Sequence, residues 1–253
     1  MKRLISLMLV VALLCSLPGC SKSKDILASV KEAGVLRVLL SEDDLPYSAV
    51  DETGTAQGME LQLATRIAET IGVTLETLHA PQTTLLDTFD TSGAQLCLGR
   101  IPASDSLRYN YLTSVSYAVG SLYAVTPRGV YFPSLGSLSE KSVGVTQKLS
   151  KPALLAVSGA GDVTAQAYGD TGMVVENLLA GSIAAYLCYG EQANIFVENP
   201  ALQVQDVLDY EQEQYTAVTI TGANSLMTAV NECITAMIEN GELAELQKSI
   251  AIQ

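Results

Sequence analysis

The stretch GVLRVLLSEDDLPYSAVDETGTAQGMELQLATRIAETIGV, residues 34–73, decides the fold class of this chain. Its first part, residues 35–40, is an apolar run that predicts a buried strand. After a polar loop, apolar residues recur at helical spacing from Leu61 to Ile71, and Gly72 ends the helix. A second strand is predicted from Val73 to Leu78. The stretch is therefore a βα unit that leads into a neighbouring strand.

The same order of elements occurs twice in the chain. In each half, three short apolar strands alternate with two amphipathic helices, which is typical of an α/β lobe. The predicted strands are 35–40, 73–78 and 94–98 in the first half and 142–146, 163–167 and 183–188 in the second, and the helices are 61–71, 83–89, 150–157 and 173–180. We therefore expect two α/β lobes.

Two extended segments connect the predicted lobes. The first is Val115 to Val125, and the second is Asp209 to Tyr215. The chain then continues into a strand that ends at Ile220 and two amphipathic helices, Asn224 to Glu239 and Glu242 to Ile250. Because this last part has no complete β-α-β unit of its own, we expect it to return to the first lobe.

The N-terminus has the pattern of an export signal. Lys2 and Arg3 precede an uncharged run from Leu4 to Leu17, which is too short to span a bilayer as a helix. The run ends in Leu-Pro-Gly-Cys, with the cysteine at position 20, which resembles a bacterial lipobox. The polar Ser-Lys-Ser-Lys that follows favours a lipidated Cys20 on a tether. An ordinary signal peptide with an incidental cysteine is the alternative.

These patterns together give a division of the whole chain. Residues 1–19 are the predicted signal peptide, and residues 20–33 are the lipidated cysteine and tether. Residues 34–119 together with 212–253 form lobe 1, and residues 120–211 form lobe 2. The protein is expected outside the cytoplasm, lipid-anchored to the bacterial cell membrane in the periplasm or at the cell surface.

Composition excludes several classes of function. The chain has 253 residues, of which 48% are hydrophobic and 16% charged, which is ample for a packed core. Its net charge of −13 repels nucleic acid. The cysteines are scattered without a zinc or redox spacing, His79 is the only histidine, and no nucleotide-binding or hydrolase motif occurs. We expect no cofactor and no metal. Cysteines 97, 188 and 233 are expected to be buried apolar residues.

Several of these segments resemble the family 3 solute-binding proteins of ABC importers, the polar amino acid group. The resemblance lies in Gly34-Val-Leu-Arg-Val, Leu45-Pro-Tyr47, Gly58-Met-Glu60-Leu-Gln-Leu-Ala and Ile71-Gly-Val. Residues 134–145, SLGSLSEKSVGV, resemble the family's entry into its second lobe, and residues 224–250 resemble its closing helices. The resemblance implies a two-lobed periplasmic-binding-protein-like fold with two hinge crossings and a ligand cleft between the lobes.

In that family an arginine shortly after the third strand holds the ligand's carboxylate. Two ways of matching the loop put either Ser106 or Arg108 at that place, and Arg100 is a second candidate in the same loop. We prefer Arg108. Because open α/β sheets bind ligands at the carboxyl ends of their strands, both arginines are expected near the cleft. Solvent-exposed loop cations are the alternative for both.

The second lobe departs from the family pattern. Where the family has an acidic residue after the third strand of this lobe, the sequence has Tyr189, and Glu191 follows two residues later. Thr146 and Ser150 lie at the turn after the first strand, where Ser150 either caps the following helix and presents amides to an anion, or only caps it. From lobe 1 the resemblance implies Tyr47 as an aromatic wall, and Tyr117 and Tyr189 are possible replacements for missing aromatics. Glu60 matches an acid that supports the fold.

The expected function is that of a substrate-binding lipoprotein, not an enzyme. It would capture a small polar solute, an amino acid or related compound, and present it to an ABC transporter permease, as a monomer anchored to the membrane through its lipid. One alternative is a periplasmic dehydratase-like enzyme on the same fold, which needs a buried cleft carboxyl group with a raised pKa. Another is a signalling or degenerate lipoprotein that binds no amino acid.

Overall fold

The structure, a computed structural model, describes residues 25–207 and 209–251. The predicted signal peptide and Cys20 lie outside the described residues. In chain order the strands are β1 (Val35–Ser41), β2 (Asp43–Asp44), β3 (Ser48–Val50), β4 (Ala56–Gln57), β5 (Thr74–Ala80), β6 (Leu96–Pro102), β7 (Tyr111–Thr113), β8 (Ala118–Gly120), β9 (Leu122–Pro127), β10 (Ser142–Thr146), β11 (Thr164–Tyr168), β12 (Ala185–Tyr189), β13 (Leu202–Asp206) and β14 (Glu213–Ile220).

The helices lie between and after these strands. They are α1 (Ile26–Ala33), α2 (Met59–Ile71), α3 (Leu85–Ser92), α4 (Asp105–Asn110), α5 (Lys151–Ser158), α6 (Thr171–Leu179), α7 (Gly190–Ala193), α8 (Asn224–Glu239) and α9 (Glu242–Ala251). Short 3₁₀ turns occur at Gln82–Thr84, Leu135–Leu138 and Asn194–Phe196.

Lobe 1 is built on a six-stranded sheet in the order β5-β1-β6-β14-β7, with β8 also paired to β14. Strands β5, β1 and β6 are parallel, and β14 is antiparallel to its neighbours. Helix α2 buries Met59, Leu63 and Ile67 along one face against this sheet and against α8. Helix α3 covers the other face with Leu85 and Phe89. Both faces of the sheet are therefore covered, which explains its apolar strands.

Lobe 2 is built on a five-stranded sheet in the order β11-β10-β12-β9-β13. Strands β11, β10 and β12 are parallel, β9 runs antiparallel to β12, and β13 runs antiparallel to β9 and so in the same direction as the first three. One apolar cluster contains Val143 and Val157, and a second contains Val174 and Leu178. The second lobe thus repeats the α/β arrangement of the first.

The two lobes are joined where β8 and β14 lie side by side. Ala118 pairs with Tyr215 and Gly120 with Glu213, in antiparallel register. A Cβ atom on Gly120 would lie 1.9 Å from the Tyr215 hydroxyl, so only glycine fits at this contact. The predicted pair of hinge crossings and the two-lobed α/β fold are confirmed. Helices α8 and α9 pack on lobe 1, as predicted, with Val230 and Leu243 in its core.

The predicted tether needs one correction. Residues 26–33 are the folded helix α1, which buries Val30 in the core of lobe 1 and ends at Gly34. The amphipathic spacing of Ile26, Leu27 and Val30 gives this helix an apolar face that packs on lobe 1. Any tether after Cys20 is therefore shorter than residues 20–33.

Candidate functional site

Arg100 is a buried cation that strand β6 delivers to the space between the lobes. The pairing of β6 with β14 is irregular between Cys97 and Ile101, where one residue of β14 faces three of β6. Arg100 lies in this bulge with a φ of 48°, in the left-handed region that residues other than glycine adopt rarely. Bulges redirect side chains. The irregularity explains how a strand residue comes to point between the lobes.

Asp44 of lobe 1 holds this guanidinium in a two-bond fork. The Arg100 Nε donates to Asp44 Oδ2 at 2.8 Å, and Nη2 donates to Asp44 Oδ1 at 3.1 Å. Only 1% of the Asp44 side chain and 3% of the Arg100 side chain are exposed. Paired, charge-assisted hydrogen bonds of this kind are the strongest that a buried carboxylate makes.

Lobe 2 contacts the same guanidinium from the other side. Arg100 Nη1 donates to Glu191 Oε1 at 3.2 Å, and Nη2 donates to the carbonyl oxygen of Lys148 at 3.2 Å. Lys148 also reaches across, with Nζ 3.6 Å from Asp44 Oδ1 and 3.4 Å from the carbonyl oxygen of Leu45. Two cations and two carboxylates thus join the lobes.

Three tyrosine rings surround the Arg100 guanidinium. Its central carbon lies 4.6 Å from the ring centre of Tyr189, 5.4 Å from that of Tyr47 and 5.8 Å from that of Tyr215. Tyr47 and Tyr215 meet edge to face, with ring centres 5.9 Å apart. Ring faces attract cations most strongly where water is excluded. We call Asp44, Glu191 and the three tyrosines the guanidinium cage.

The electrostatics of the cage follow from its burial. Burial alone would lower the pKa of the Arg100 guanidinium, but Asp44 and the other surrounding groups, Glu191 among them, together outweigh this effect, so that the pKa is raised and the side chain stays charged. Burial raises the pKa of Glu191, although Arg100 opposes the shift. The pKa values of the three tyrosines are raised, chiefly by burial, so that their rings are neutral.

Glu60 and Tyr117 support Arg100 from within lobe 1. The backbone N–H of Arg100 donates to Glu60 Oε1 at 2.7 Å and contacts the Tyr117 hydroxyl at 3.1 Å. That hydroxyl in turn donates to Glu60 Oε1. Burial raises the pKa of Glu60 to about 7, while these hydrogen bonds lower it in part. The pair fixes the strained backbone of Arg100 in place.

A second polar cluster lies at the hinge around Glu213. Tyr189 donates to Glu213 Oε2 at 3.0 Å, and Tyr210 donates to Oε1 at 2.8 Å. The Ser150 hydroxyl donates to the same carboxylate. It also accepts a hydrogen bond from the backbone amide of Ala153, so that Ser150 caps α5. The cluster connects the start of β14 to the ends of β10 and β12. It also orients Tyr189 toward Arg100.

A pocket of about 320 Å³ lies beside the cage, between the lobes and the hinge. Its walls are mainly apolar, and its polar groups come from Tyr123, Glu191, Asn194 and Gln247. Glu191 and Tyr47 belong to both the cage and the pocket. A small polar molecule in this pocket would meet one carboxylate and several neutral hydrogen-bonding groups.

Four of the predicted residues meet at one point in the structure. Tyr47, Arg100, Tyr189 and Glu191 all belong to the cage or fill it. Tyr117 is instead fully buried behind Arg100, because its hydroxyl pairs with Glu60. As an aromatic wall of the cleft, Tyr117 is therefore replaced by Tyr215.

The polar residues of the lobe 2 turn lie close to the cage without entering it. Thr146 is buried at the end of β10 and accepts from the amide of Lys148 at 3.3 Å. The Ser150 amide donates to the Tyr189 hydroxyl at 2.9 Å, so it is already satisfied within the protein. Ser150 thus acts here as a helix cap and a hinge contact.

The preference for Arg108 is corrected by the structure. Its side chain is 60% exposed on α4 and lies 3.8 Å from Asp105, one turn away. The loop folds into a short helix that begins at the Ser104 cap and turns Arg108 to solvent. Arg100, the second candidate, is the arginine that reaches the space between the lobes.

Sequence reasoning missed Asp44, Lys148 and Tyr215. Asp44 follows β1 and Lys148 follows β10, so both lie beyond the carboxyl ends of parallel strands, where such sheets place their binding groups. Both residues could therefore have been predicted from their positions after these strands. Tyr215 lies inside a strand and reaches the cage only through the pairing of β14 with β8.

The described residues show neither a metal cluster nor a membrane helix. Within them, no three histidine, cysteine or acidic side chains are grouped so that they could hold a metal ion. None of their helices combines the length and the apolar character needed to cross a bilayer. Cys97, Cys188 and Cys233 are free and buried, as their apolar surroundings predict.

Residues 36–250 match the family model of the bacterial extracellular solute-binding proteins, family 3. The chain belongs to this family. Among the curated proteins that this chain resembles, the L-cystine-binding protein TcyJ of Escherichia coli K12 is 26% identical over 227 residues, which is 88% of this chain and 85% of TcyJ. The membrane-bound lytic murein transglycosylase F of Salmonella paratyphi B is 25% identical over 97% of this chain, but the match spans only 49% of that protein.

Solved structures show the same family 3 fold. An amino acid ABC transporter substrate-binding protein from Streptococcus pneumoniae, bound to L-arginine, gives a TM-score of 0.70 at 22% identity over 88% of this chain and 97% of that one. A substrate-binding protein from the same species with bound histidine gives a TM-score of 0.71 at 17% identity, over 92% of this chain and 98% of that one. The ancestral amino acid-binding protein AncCDT-1, a precursor of cyclohexadienyl dehydratase, gives a TM-score of 0.71 at 16% identity, over 88% of this chain and 98% of that one.

Proposed function

We propose that this chain is the substrate-binding lipoprotein of an ABC importer and that it captures an amino acid or a related small polar compound between its lobes. The observation that carries the proposal is the meeting of Arg100 from lobe 1 with Glu191 from lobe 2, 3.2 Å apart, in a chain whose lobes are joined at two strands. A solute that binds there contacts both lobes and favours their closed arrangement.

The class of solute follows from the relatives and from the pocket. The relatives whose names state a ligand include proteins for L-cystine, L-arginine and histidine. The pocket beside Glu191 and Tyr47 offers one carboxylate and neutral polar groups within apolar walls. This supports a compound with a positively charged amine and a small body.

A thermal-shift screen of amino acids, small peptides and organic acids tests the proposal. A compound at 100 times its dissociation constant stabilises the folded protein by about 2.7 kcal/mol, which raises the melting temperature of a chain of this size by roughly 5 to 11 °C. Glu191→Gln should weaken the response to the compound, whereas the exposed Glu198→Gln should keep it. No response to any compound would contradict solute capture and favour a signalling or degenerate lipoprotein.

The proposed role is binding without catalysis. Glu191 nevertheless meets the requirement of the dehydratase-like alternative, because it lines the pocket and burial raises its pKa. Incubating each compound that binds with the protein and recording its NMR spectrum separates the two functions. An unchanged compound supports binding, and a conversion that Glu191→Gln abolishes would establish an enzyme.

The remaining features of the proposal concern the cell envelope. A lipid on Cys20 would hold the protein at the outer face of the cytoplasmic membrane or in the periplasm, close to its permease. The proposed form is a monomer, because the cleft is complete within one chain.

A further inference from the structure

The protein surrounds the side chain of Arg100 with the contacts that a bound ligand would have. Its guanidinium makes two hydrogen bonds to Asp44, one to Glu191 and one to the Lys148 carbonyl oxygen, all between 2.8 and 3.2 Å. Three tyrosine rings lie within 5.8 Å of its central carbon. Four acceptors at the edge of a planar cation and ring faces around it are the contacts by which proteins recognise a guanidinium group.

The groups of the cage come from both lobes. Asp44, Tyr47 and Tyr215 belong to lobe 1 or its hinge strand, whereas Tyr189 and Glu191 belong to lobe 2. The cage is therefore complete only while the lobes are together. Burying its two carboxylates without the guanidinium would be unfavourable, because Asp44 would keep Lys148 Nζ, 3.6 Å away, and Glu191 the side-chain amide of Gln192 in place of the hydrogen bonds from Arg100.

The backbone is built to deliver this side chain. The φ of 48° at Arg100 is unfavourable for any residue with a Cβ, and hydrogen bonds that its backbone N–H donates to Glu60 and Tyr117 hold it. A Cβ atom on the preceding Gly99 would lie 2.0 Å from Leu85 Cδ2, so the bulge also requires glycine there. A solvent-facing arginine would need neither feature.

We propose that the cage is a binding site for a guanidinium group and that Arg100 is its built-in occupant, which latches the two lobes together. The cage then recognises the chain's own cation. A solute with a guanidinium group must displace Arg100, and other solutes bind beside it. This inference goes beyond solute capture and holds whether or not a solute is found.

Arg100→Gly is the decisive variant, because glycine accepts a φ of 48° and leaves the cage vacant. We expect its radius of gyration, measured by X-ray scattering, to exceed that of the wild type, because the latch is lost. Adding methylguanidinium chloride should reverse the change. At about 20 times its dissociation constant this cation should raise the melting temperature of the variant by about 4 to 7 °C, compared with equal sodium chloride.

Two controls make the result specific. The wild type and Arg108→Ala should not respond to methylguanidinium, because Arg100 fills their cage and Arg108 is exposed. Glu191→Gln leaves the β6 backbone untouched and should also increase the radius of gyration, which provides the test if Arg100→Gly does not fold. Circular dichroism establishes folding in each case.

The proposal is overturned if methylguanidinium stabilises the wild type and Arg100→Gly equally, or stabilises neither. It is also overturned if a folded Arg100→Gly keeps the wild-type radius of gyration, or if Glu191→Gln keeps it where Arg100→Gly does not fold. Failure of the solute screen would leave these measurements unaffected, so the two proposals fail separately.

Discussion

Replacing Glu60 by glutamine should remove a pH dependence of the free energy of unfolding. The Glu60 carboxyl group is fully buried in lobe 1, where Oε1 accepts from the Arg100 amide at 2.7 Å and from Tyr117. Within the described residues Oε2 is buried without a hydrogen-bond partner. This burial raises the pKa of Glu60 from its ordinary value of 4.5 to about 7.

The magnitude follows from the difference between these two pKa values. Below pH 4.5 the carboxyl group is protonated in both the folded and the unfolded chain. Between 4.5 and 7 the unfolded chain loses the proton first, so the stability falls as the pH rises. Above 7 both states are ionised and the loss is complete. At about 1.4 kcal/mol for each pH unit, Glu60 accounts for a decrease of about 3 kcal/mol.

Urea unfolding followed by circular dichroism, at several values between about pH 5 and pH 8, measures this effect. The free energy of the wild type minus that of Glu60→Gln should fall by about 2 to 3 kcal/mol across the range. Glu69→Gln is the matched control, because Glu69 lies on the same helix with its side chain 60% exposed. That variant should keep the wild-type pH dependence.

Parallel curves for the wild type and Glu60→Gln would refute the reasoning, because they would mean that the pKa of Glu60 is the same in both states. A wild-type curve that rises relative to the variant would refute it more strongly. In that case the Arg100 amide and the Tyr117 hydroxyl would hold Glu60 as an anion, and the pKa would lie below its ordinary value.

Three further predictions concern the hinge, the anchor and the exposed arginine. Gly120→Ala should destabilise the protein by about 1 to 3 kcal/mol in urea unfolding, because its Cβ would lie 1.9 Å from the Tyr215 hydroxyl. Gly136→Ala, whose nearest neighbour is 3.9 Å away, should change stability by less than about 0.5 kcal/mol. Cys20→Ser should move the protein from the membrane fraction to the soluble fraction without changing its melting temperature. Arg108→Ala should change the affinity for a solute found in the screen by less than about fivefold, because exposed charges contribute little.

Each of these predictions has an outcome that contradicts it. Equal stability of Gly120→Ala and Gly136→Ala would show that β8 and β14 separate at little cost. Retention of Cys20→Ser in the membrane fraction after a salt wash would refute lipid attachment at this residue. A loss of affinity of more than about tenfold in Arg108→Ala would show that Arg108 contributes to solute binding.

The regular elements were predictable because their signals are local. Strand β10 and helix α8 have the predicted bounds, Ser142–Thr146 and Asn224–Glu239. In each case apolar residues at one period are bounded by polar or turn residues. The two connections between the lobes were also predictable, since the first is an extended segment between two α/β patterns and the second leads from lobe 2 into a last part that has no complete β-α-β unit of its own.

The bulge in β6 was not predictable from local sequence. A strand was predicted from Ala94 to Leu98 and a loop after it, but β6 runs from Leu96 to Pro102. Its second half is a strand because it pairs with β14, in which Tyr215 faces Pro102. Such pairing depends on residues more than 100 positions away, so the spacing of apolar residues within the segment does not indicate it. The preference for Arg108 rests instead on the resemblance, which places the family's arginine further along the loop.

The cage was predictable in part. Tyr47, Tyr189 and Glu191 came from the resemblance to a known family, which marks positions at strand ends. The role of Asp44 depends on Arg100 lying opposite. Two residues that meet only in the folded chain leave no signature in either segment alone.

The position of β14 also governs the order in which the chain can fold. Every strand of lobe 2 lies between residues 122 and 206, so that this lobe has all its strands once that segment is available. Lobe 1 begins earlier but lacks its central strand until residue 220, since β14 separates β6 from β7. Because a chain is synthesised with its N-terminus first, the lobe that starts first is therefore completed last. A chain cut before residue 213 would keep the lobe 2 sheet and leave the lobe 1 sheet divided.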